Sequence, residues 1–137
     1  MSFDYTVEGL TYPDFNHTFI LTDSVSDLNA LEGLAVQQDT TAANSVKLAT
    51  DGSEIVGFIV LAENGASQGE GVTVTVSTKG GHKVKTSTEL SVGDYVCGAG
   101  NGAVKASMSA DETPVPVKTD IRVWQVRSAT EAVVFQK

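Results

Sequence analysis

The stretch Gly71-Val72-Thr73-Val74-Thr75-Val76-Ser77, continued by Thr78-Lys79-Gly80-Gly81 and His82-Lys83-Val84-Lys85, decides the fold class. Valines at 72, 74 and 76 alternate with hydroxyl residues at 73, 75 and 77. Successive side chains of a strand point to opposite faces, so this period of two marks a half-buried β-strand. Gly80-Gly81 can supply the positive φ of a tight reversal, which predicts a hairpin whose second arm is residues 83–86.

Short β segments extend on both sides of this stretch. Leu34-Ala35-Val36-Gln37 reads as a strand, residues 39–45 as a polar loop, and Val46-Lys47-Leu48-Ala49 as a strand ended by the turn Thr50-Asp51-Gly52-Ser53. Ile55-Val56-Gly57-Phe58-Ile59-Val60-Leu61 is almost wholly apolar, as a central strand covered on both faces should be, and Gly57 marks a bulge or the close approach of another backbone. Residues 63–70 form a glycine-rich loop. Beyond the opening stretch, Leu90-Ser91-Val92-Gly93-Asp94-Tyr95-Val96-Cys97 combines a turn with a strand, and Gly98-Ala99-Gly100-Asn101-Gly102 reverses the chain before Ala103-Val104-Lys105-Ala106. Pro114 and Pro116 confine residues 107–120 to a loop or sheet edge. Residues 121–127, the turn Ser128-Ala129-Thr130 and residues 131–135 make a closing hairpin. One face of its first arm is Ile121, Val123 and Gln125, the other Arg122, Trp124 and Val126, a mixture in which neither face is fully wet. Eight to ten short strands at this spacing predict an all-β domain, a small β-barrel or β-sandwich.

Residues 1–30 are of another character. They hold five of the nine aromatics, Phe3, Tyr5, Tyr12, Phe15 and Phe19, and no Lys or Arg, with Pro13, Asp14 and Asn16 breaking any regular period. Such aromatics need a cover. Either they fold back as an irregular edge of the core, or they form an extended N-terminal arm that docks on another molecule, where Tyr and Phe supply much of the contact energy. Within this segment residues 17–22 suit one short strand, and residues 24–31 a helical turn capped by Ser24 or Ser26 and closed by Gly33. The domain proper is then 31–137.

The 137 residues suffice for one domain with its own core. The single Cys97 excludes an internal disulfide and suits a small buried hydrophobe at the end of a strand. Neither an apolar run long enough for a membrane span nor a secretory signal is visible, so a membrane is not an expected partner. The net charge of −8 is uneven: residues 1–70 carry eleven Asp/Glu against one Lys, residues 71–137 six against eight Lys/Arg. So acidic a chain is repelled by phosphate backbones, which argues against nucleic acid as a partner. The acidity serves solubility or meets a basic surface.

Motifs of chemistry are weak. Gly65-Ala66-Ser67-Gln68-Gly69 matches G-x-S-x-G, but a nucleophile elbow lies between a strand and a helix, and here a second strand follows. A general base would have to be His17 or His82, and neither position reads as sheltered. Asp23-Ser24-Val25-Ser26-Asp27-Leu28-Asn29 alternates oxygens as a calcium loop does, yet lacks the sixth-position glycine and has Leu34 where the bidentate glutamate belongs, so it reads as capping and turn chemistry. The Gly98–Gly102 run opens no helix and has no phosphate-binding rationale. Lys79, His82, Lys83 and Lys85 suit an edge strand that blocks edge-to-edge pairing. No catalytic residue, cofactor or metal site is expected, and the chain does not read as an enzyme.

Taken in order, Leu31-Glu32-Gly33-Leu34-Ala35-Val36, Val46-Lys47-Leu48-Ala49-Thr50, Ile55-Val56-Gly57, the 72–76 strand, the turn Leu90-Ser91-Val92-Gly93-Asp94 and Gly102-Ala103-Val104-Lys105 resemble the small β-rich head decoration, or capsid cement, proteins of tailed bacteriophages. The resemblance spans residues 31–105 and rests on strands and glycine turns; the Trp124 hairpin and the aromatic N-terminus lie outside it. It implies a structural virion protein, made in the bacterial cytoplasm, that binds the outer surface of the expanded head and stabilises it. Its partners would be the major capsid protein and neighbouring copies of itself, as a trimer or dimer on the capsid. It also gives the segment carrying Phe3, Tyr5, Tyr12, Phe15 and Phe19 a role in capsid contact, each buried aromatic contributing roughly 1.5–3 kcal/mol before ordering costs. The competing reading is a β-sandwich adhesion or carbohydrate-binding module of a phage tail or surface protein, with Trp124 and Tyr95 as stacking platforms.

Overall fold

The valine-alternating stretch is a strand, but it does not turn back on the glycine pair that follows it. The computed structural model describes residues 16–25, 27–64, 72–107 and 120–137. In chain order these form β1 (Asn16–Leu21), a single 3-10 turn (Leu28–Leu31), β2 (Ala35–Gln38), β3 (Ser45–Leu48), β4 (Gly57–Asn64), β5 (Val72–Ser77), β6 (Gly80–Lys85), β7 (Val96–Gly100), β8 (Ala103–Ala106), β9 (Ile121–Ser128) and β10 (Glu131–Gln136). The protein is all-β, and its centre is a closed barrel in the order β1-β3-β2-β4-β5. Closure leaves the barrel without a free edge.

Val72, Val74 and Val76 point into the barrel with Leu21, Leu31, Leu34, Val36, Val46 and Ile59, forming one of two buried clusters. The second lies outside the barrel wall. There Ala35 and Phe58, on the opposite faces of β2 and β4, meet Val84, Val96, Val104, Ile121, Val123, Ala132 and Val134. This explains the apolar run beginning at Ile55: its strand is covered on both faces, by the barrel interior and by a second layer of sheet. The bulge of β4 falls at Val60, where Ile59 pairs Val76 and Leu61 pairs Thr75. Gly57 instead marks a close approach, because a Cβ there would collide with the Ser77 carbonyl.

The second layer consists of the three-stranded sheet β6-β10-β9 and the hairpin β7-β8. The expected hairpin of β5 with β6 is therefore corrected. β5 pairs with β1 and β4, while β6 pairs with β10, register Gly80↔Gln136 to Lys85↔Glu131. Thr78 and Lys79 carry the chain from one layer to the next, braced by the Ser77 hydroxyl donating to the Lys79 carbonyl at 2.7 Å. Gly80 does take a positive φ, 101°, but it opens β6 and closes no turn. Gly81 stands opposite Phe135 in the register of β6 with β10.

The closing hairpin forms as β9 and β10, and the reversal between β7 and β8 narrows to Asn101-Gly102, both at positive φ. The helical turn is shorter than expected, and its cap is Asp27, whose carboxylate accepts from the Asn29 amide at 3.0 Å. Of the segment 1–30, residues 16–21 are β1, antiparallel to β5 and parallel to β3. No helix among the described residues is long and apolar enough to cross a membrane.

Candidate functional site

Of the five N-terminal aromatics, Phe3, Tyr5, Tyr12 and Phe15 lie outside the described residues. Phe19 is in β1, paired with Val74 and half-buried against the barrel cluster. It also lines a groove of about 300 Å³ with Gln38, Ala43 and Val56. Beside that groove the loop after β2 is held by Asp39. Its Oδ1 accepts from the Thr41 amide (2.9 Å) and hydroxyl (2.6 Å), and its Oδ2 from the Thr22 hydroxyl (2.6 Å). These bonds favour the charged carboxylate and hold its pKa down to about 2.

Among the described residues, exposed aromatic and cationic side chains gather on the face of the β6-β10-β9 sheet turned away from the core, around a fully buried Val133. Across it run the rows Gly81–Phe135–Arg122, Lys83–Val133–Gln125 and Lys85–Glu131–Ser128. β9 has eight residues against six in β10. The excess is taken up at two register shifts, which leave Trp124 and Arg127 as the extra residues. A bulge re-aims the side chain it carries. Trp124 is 59% exposed, its ring set edge-on to Phe135 at 6.3 Å. Beyond it the phase of β9 changes, so Val126 returns to the core while Gln125 is exposed. The inward face is thus Ile121, Val123 and Val126, in place of the expected Ile121, Val123 and Gln125.

At the edge of this face the Arg122 guanidinium stacks on Tyr95, 4.9 Å from the ring centroid, and its Nε donates to the Gly93 carbonyl. Lys83 pairs with Glu131 at 3.5 Å, and both remain largely in water. The sequence reading had Arg122 on the face of Trp124 and missed Phe135 and Arg127 there. The unequal lengths of the closing hairpin's arms carried the signal for Arg127, since an extra residue on one arm shifts the side chains beyond it to the other face.

The remaining candidates are absorbed by structure. His82 is buried against Phe58, not at an exposed hairpin tip; burial pushes its pKa down to about 4, against the ring N–H's bond to the Lys79 carbonyl. Its partners in the supposed cation cluster, Lys83 and Lys85, point outward. His17 is exposed on β1, and Ser67 lies outside the described residues. Asp23 accepts from the Leu48 amide and Asp27 caps the 3-10 turn, so both carboxylates of the calcium-like run are engaged by backbone. Cys97 is buried in β7. An open cleft of about 490 Å³ lies between the Glu32-Gly33 turn and the β6 edge, lined by Lys83, Lys85, Thr86 and Glu131; its walls hold both signs of charge.

Against known proteins, no family model matches the chain and no curated protein matches it.

Proposed function

We propose that the chain is a non-enzymatic head decoration protein of a tailed phage, bound to the outer surface of the capsid and stabilising it by contacts repeated over the shell. The observation that carries this reading beyond the sequence resemblance is the rooting of the N-terminal segment. Residues 1–15, with four aromatics and no Lys or Arg, lead directly into β1. β1 is gripped along all six residues by β5 and on its other side by β3. A load on an arm attached there passes into a closed barrel instead of peeling an edge strand. The arm and its aromatics Phe3, Tyr5, Tyr12 and Phe15 would dock on the major capsid protein, with Phe19 at the root. The reading needs neither metal nor cofactor.

The test is co-sedimentation of the purified protein with heads lacking their decoration. Saturable binding at a fixed number of copies per shell, with added resistance to heat, supports it; absence of binding to heads of the cognate phage removes it.

The exposure of Trp124 favours a second reading, a carbohydrate-binding module. Tyr95 is less suited as the other platform, since Arg122 covers its ring face. Trp124 is the only tryptophan, so a change in its emission on titration with phage-receptor glycans would bring this reading forward.

A further inference from the structure

We infer that residues 9–11 fold back over a turn at residues 12–15 and pair with the open edge of β1, seating Leu10 in the groove beside Phe19. β1 runs further than the strand that closes the barrel on it. Its even-numbered residues turn their main-chain groups toward β3, where the Ile20 amide donates to the Asn44 carbonyl at 2.9 Å and the Thr22 amide to the Val46 carbonyl at 3.0 Å. β3 begins at Ser45, and Asn44, at φ 54°, turns the loop away before it reaches Thr18. The main-chain groups of Thr18 and Asn16 therefore lie along that edge with no partner among the described residues. Alternation turns those of His17 and Phe19 to β5 instead. An edge left in this way is a template for another strand. Beside it lies the groove of about 300 Å³, lined mainly by Phe19, Ala42, Ala43, Val46 and Val56.

The occupant follows from where the chain outside the described residues ends. Residues 1–15 join β1 at Asn16, on the same strand as Phe19. What precedes Asn16 is thus tethered to the open edge, at an effective concentration on the order of millimolar. Tyr12-Pro13-Asp14-Phe15 has proline where a type I turn favours it, and four-residue hairpin loops are built around that turn. Such a loop sets Thr11 opposite Asn16, Leu10 opposite His17 and Gly9 opposite Thr18. Gly9 and Thr11 then exchange main-chain bonds with Thr18 and Asn16, and Leu10 falls on the side of the sheet that Phe19 occupies. Past Thr18 the edge is taken by Asn44, and Gly9 stands where the added chain must turn off, which glycine does without steric cost. Three residues span about 10 Å, so the added strand covers the groove but is not needed to close the barrel. It leaves Phe3 and Tyr5 beyond it and Tyr12 and Phe15 at its turn.

Amide exchange followed by NMR on the full chain tests this with no capsid present, so its outcome is separate from that of the head-binding experiment. The Thr18 amide should exchange about five- to tenfold more slowly than in a chain lacking residues 1–11, the worth of one net hydrogen bond. The Phe19 amide, turned to β5, should exchange alike in both. The full chain should also show a nuclear Overhauser contact between the Leu10 methyls and the Phe19 ring, and Leu10→Ser should lose most of the Thr18 protection. Thr18 exchange equal in the full and shortened chains would overturn the inference, whether fast in both or slow in both. So would protection that survives Leu10→Ser, or that comes without the Leu10–Phe19 contact. Protection that rises with protein concentration, alongside a dimer in sedimentation, would also overturn pairing within one chain and would assign the edge to a second copy.

Discussion

The imidazole of His82 lies against the ring of Phe58, centroids 4.9 Å apart and planes tilted by 31°, joining β6 of the outer sheet to β4 of the barrel wall. A charge on that ring would sit in the seam between the two layers. Burial holds its pKa down to about 4, from an ordinary value near 6.5. The unfolded chain therefore takes up a proton that the folded chain refuses between these values. Stability that is fully present above about pH 6.5 is lost as pH falls, by about 3 kcal/mol once pH is below 4. Urea melts across this range should show the loss, and His82→Leu should remove most of that pH dependence. Equal slopes in the two proteins would mean that another group titrates.

A second acid-sensitive point is the loop after β2. The depressed pKa of Asp39 means that its contribution is present above about 3.8 and fades as pH falls toward about 2. Its anchor is local, since the carboxylate bridges Thr22 and Thr41. Asp39→Ala should therefore speed amide exchange at Thr41 while leaving exchange in β5 unchanged. Uniform acceleration in both would show that Asp39 supports the whole barrel.

Gly57 and Gly52 separate two kinds of glycine requirement. A Cβ at Gly57 would strike the Ser77 carbonyl and come within 2.6 Å of Val76 Cγ1, so Gly57→Ala must push β4 from β5. The expected cost is about 3 kcal/mol or more, at the upper end of overpacking effects. Gly52 has φ +79° but open space around it, so Gly52→Ala should cost only about 1 kcal/mol of left-handed strain. Chemical denaturation of both variants checks the order, and the reverse order would place the close approach elsewhere.

Much of this architecture is legible from side-chain period and turn chemistry. The valines of β5, the apolar run into β4 and the closing hairpin sit where their patterns put them, because burial on one face or two writes itself into a strand. What the pattern does not encode is the partner. β5 offers the same alternating faces to any neighbour, and Gly80-Gly81 serves the start of a strand opposite Phe135 as well as it would serve a turn. The misplacement of His82 follows from that assumed turn. Taken as a strand, His82-Lys83-Val84-Lys85 would have put the histidine on the buried face with Val84 and the lysines outside. Part of the outer face was hidden for a related reason: alternation already puts Arg122 and Trp124 together, but the register shift at Trp124 is what brings Gln125 and Arg127 to their side.

Phe58 and Trp124 differ in what their loss should do. Phe58 is fully buried, so Phe58→Ala should cost about 3–5 kcal/mol. Trp124→Ala, on the exposed bulge, should leave stability within about 0.5 kcal/mol. Thermal and urea melts of the pair should show that separation. A large loss at Trp124 would make its contact with Phe135 structural, and would remove the ground for treating that ring as available to a partner.

The last prediction concerns where an arm can be cut from the domain. All six residues of β1 pair with β5, and Ile20 and Leu21 also pair with β3, so β1 is the stave that closes the barrel. Removing residues 1–15 leaves every one of these pairs in place. Removing residues 1–19 takes four of the six pairs with β5 and the ring of Phe19 from the cluster around Leu21. The first truncation should therefore melt close to the full chain while losing binding to undecorated heads. The second should open the β1–β5 seam and melt several degrees lower, by roughly 3–4 °C for each kcal/mol lost in a domain of this size. If the 1–15 truncation binds heads as the full chain does, the aromatics Phe3, Tyr5, Tyr12 and Phe15 are not the docking residues. If it fails to fold, those residues belong to the core and the domain begins before Asn16.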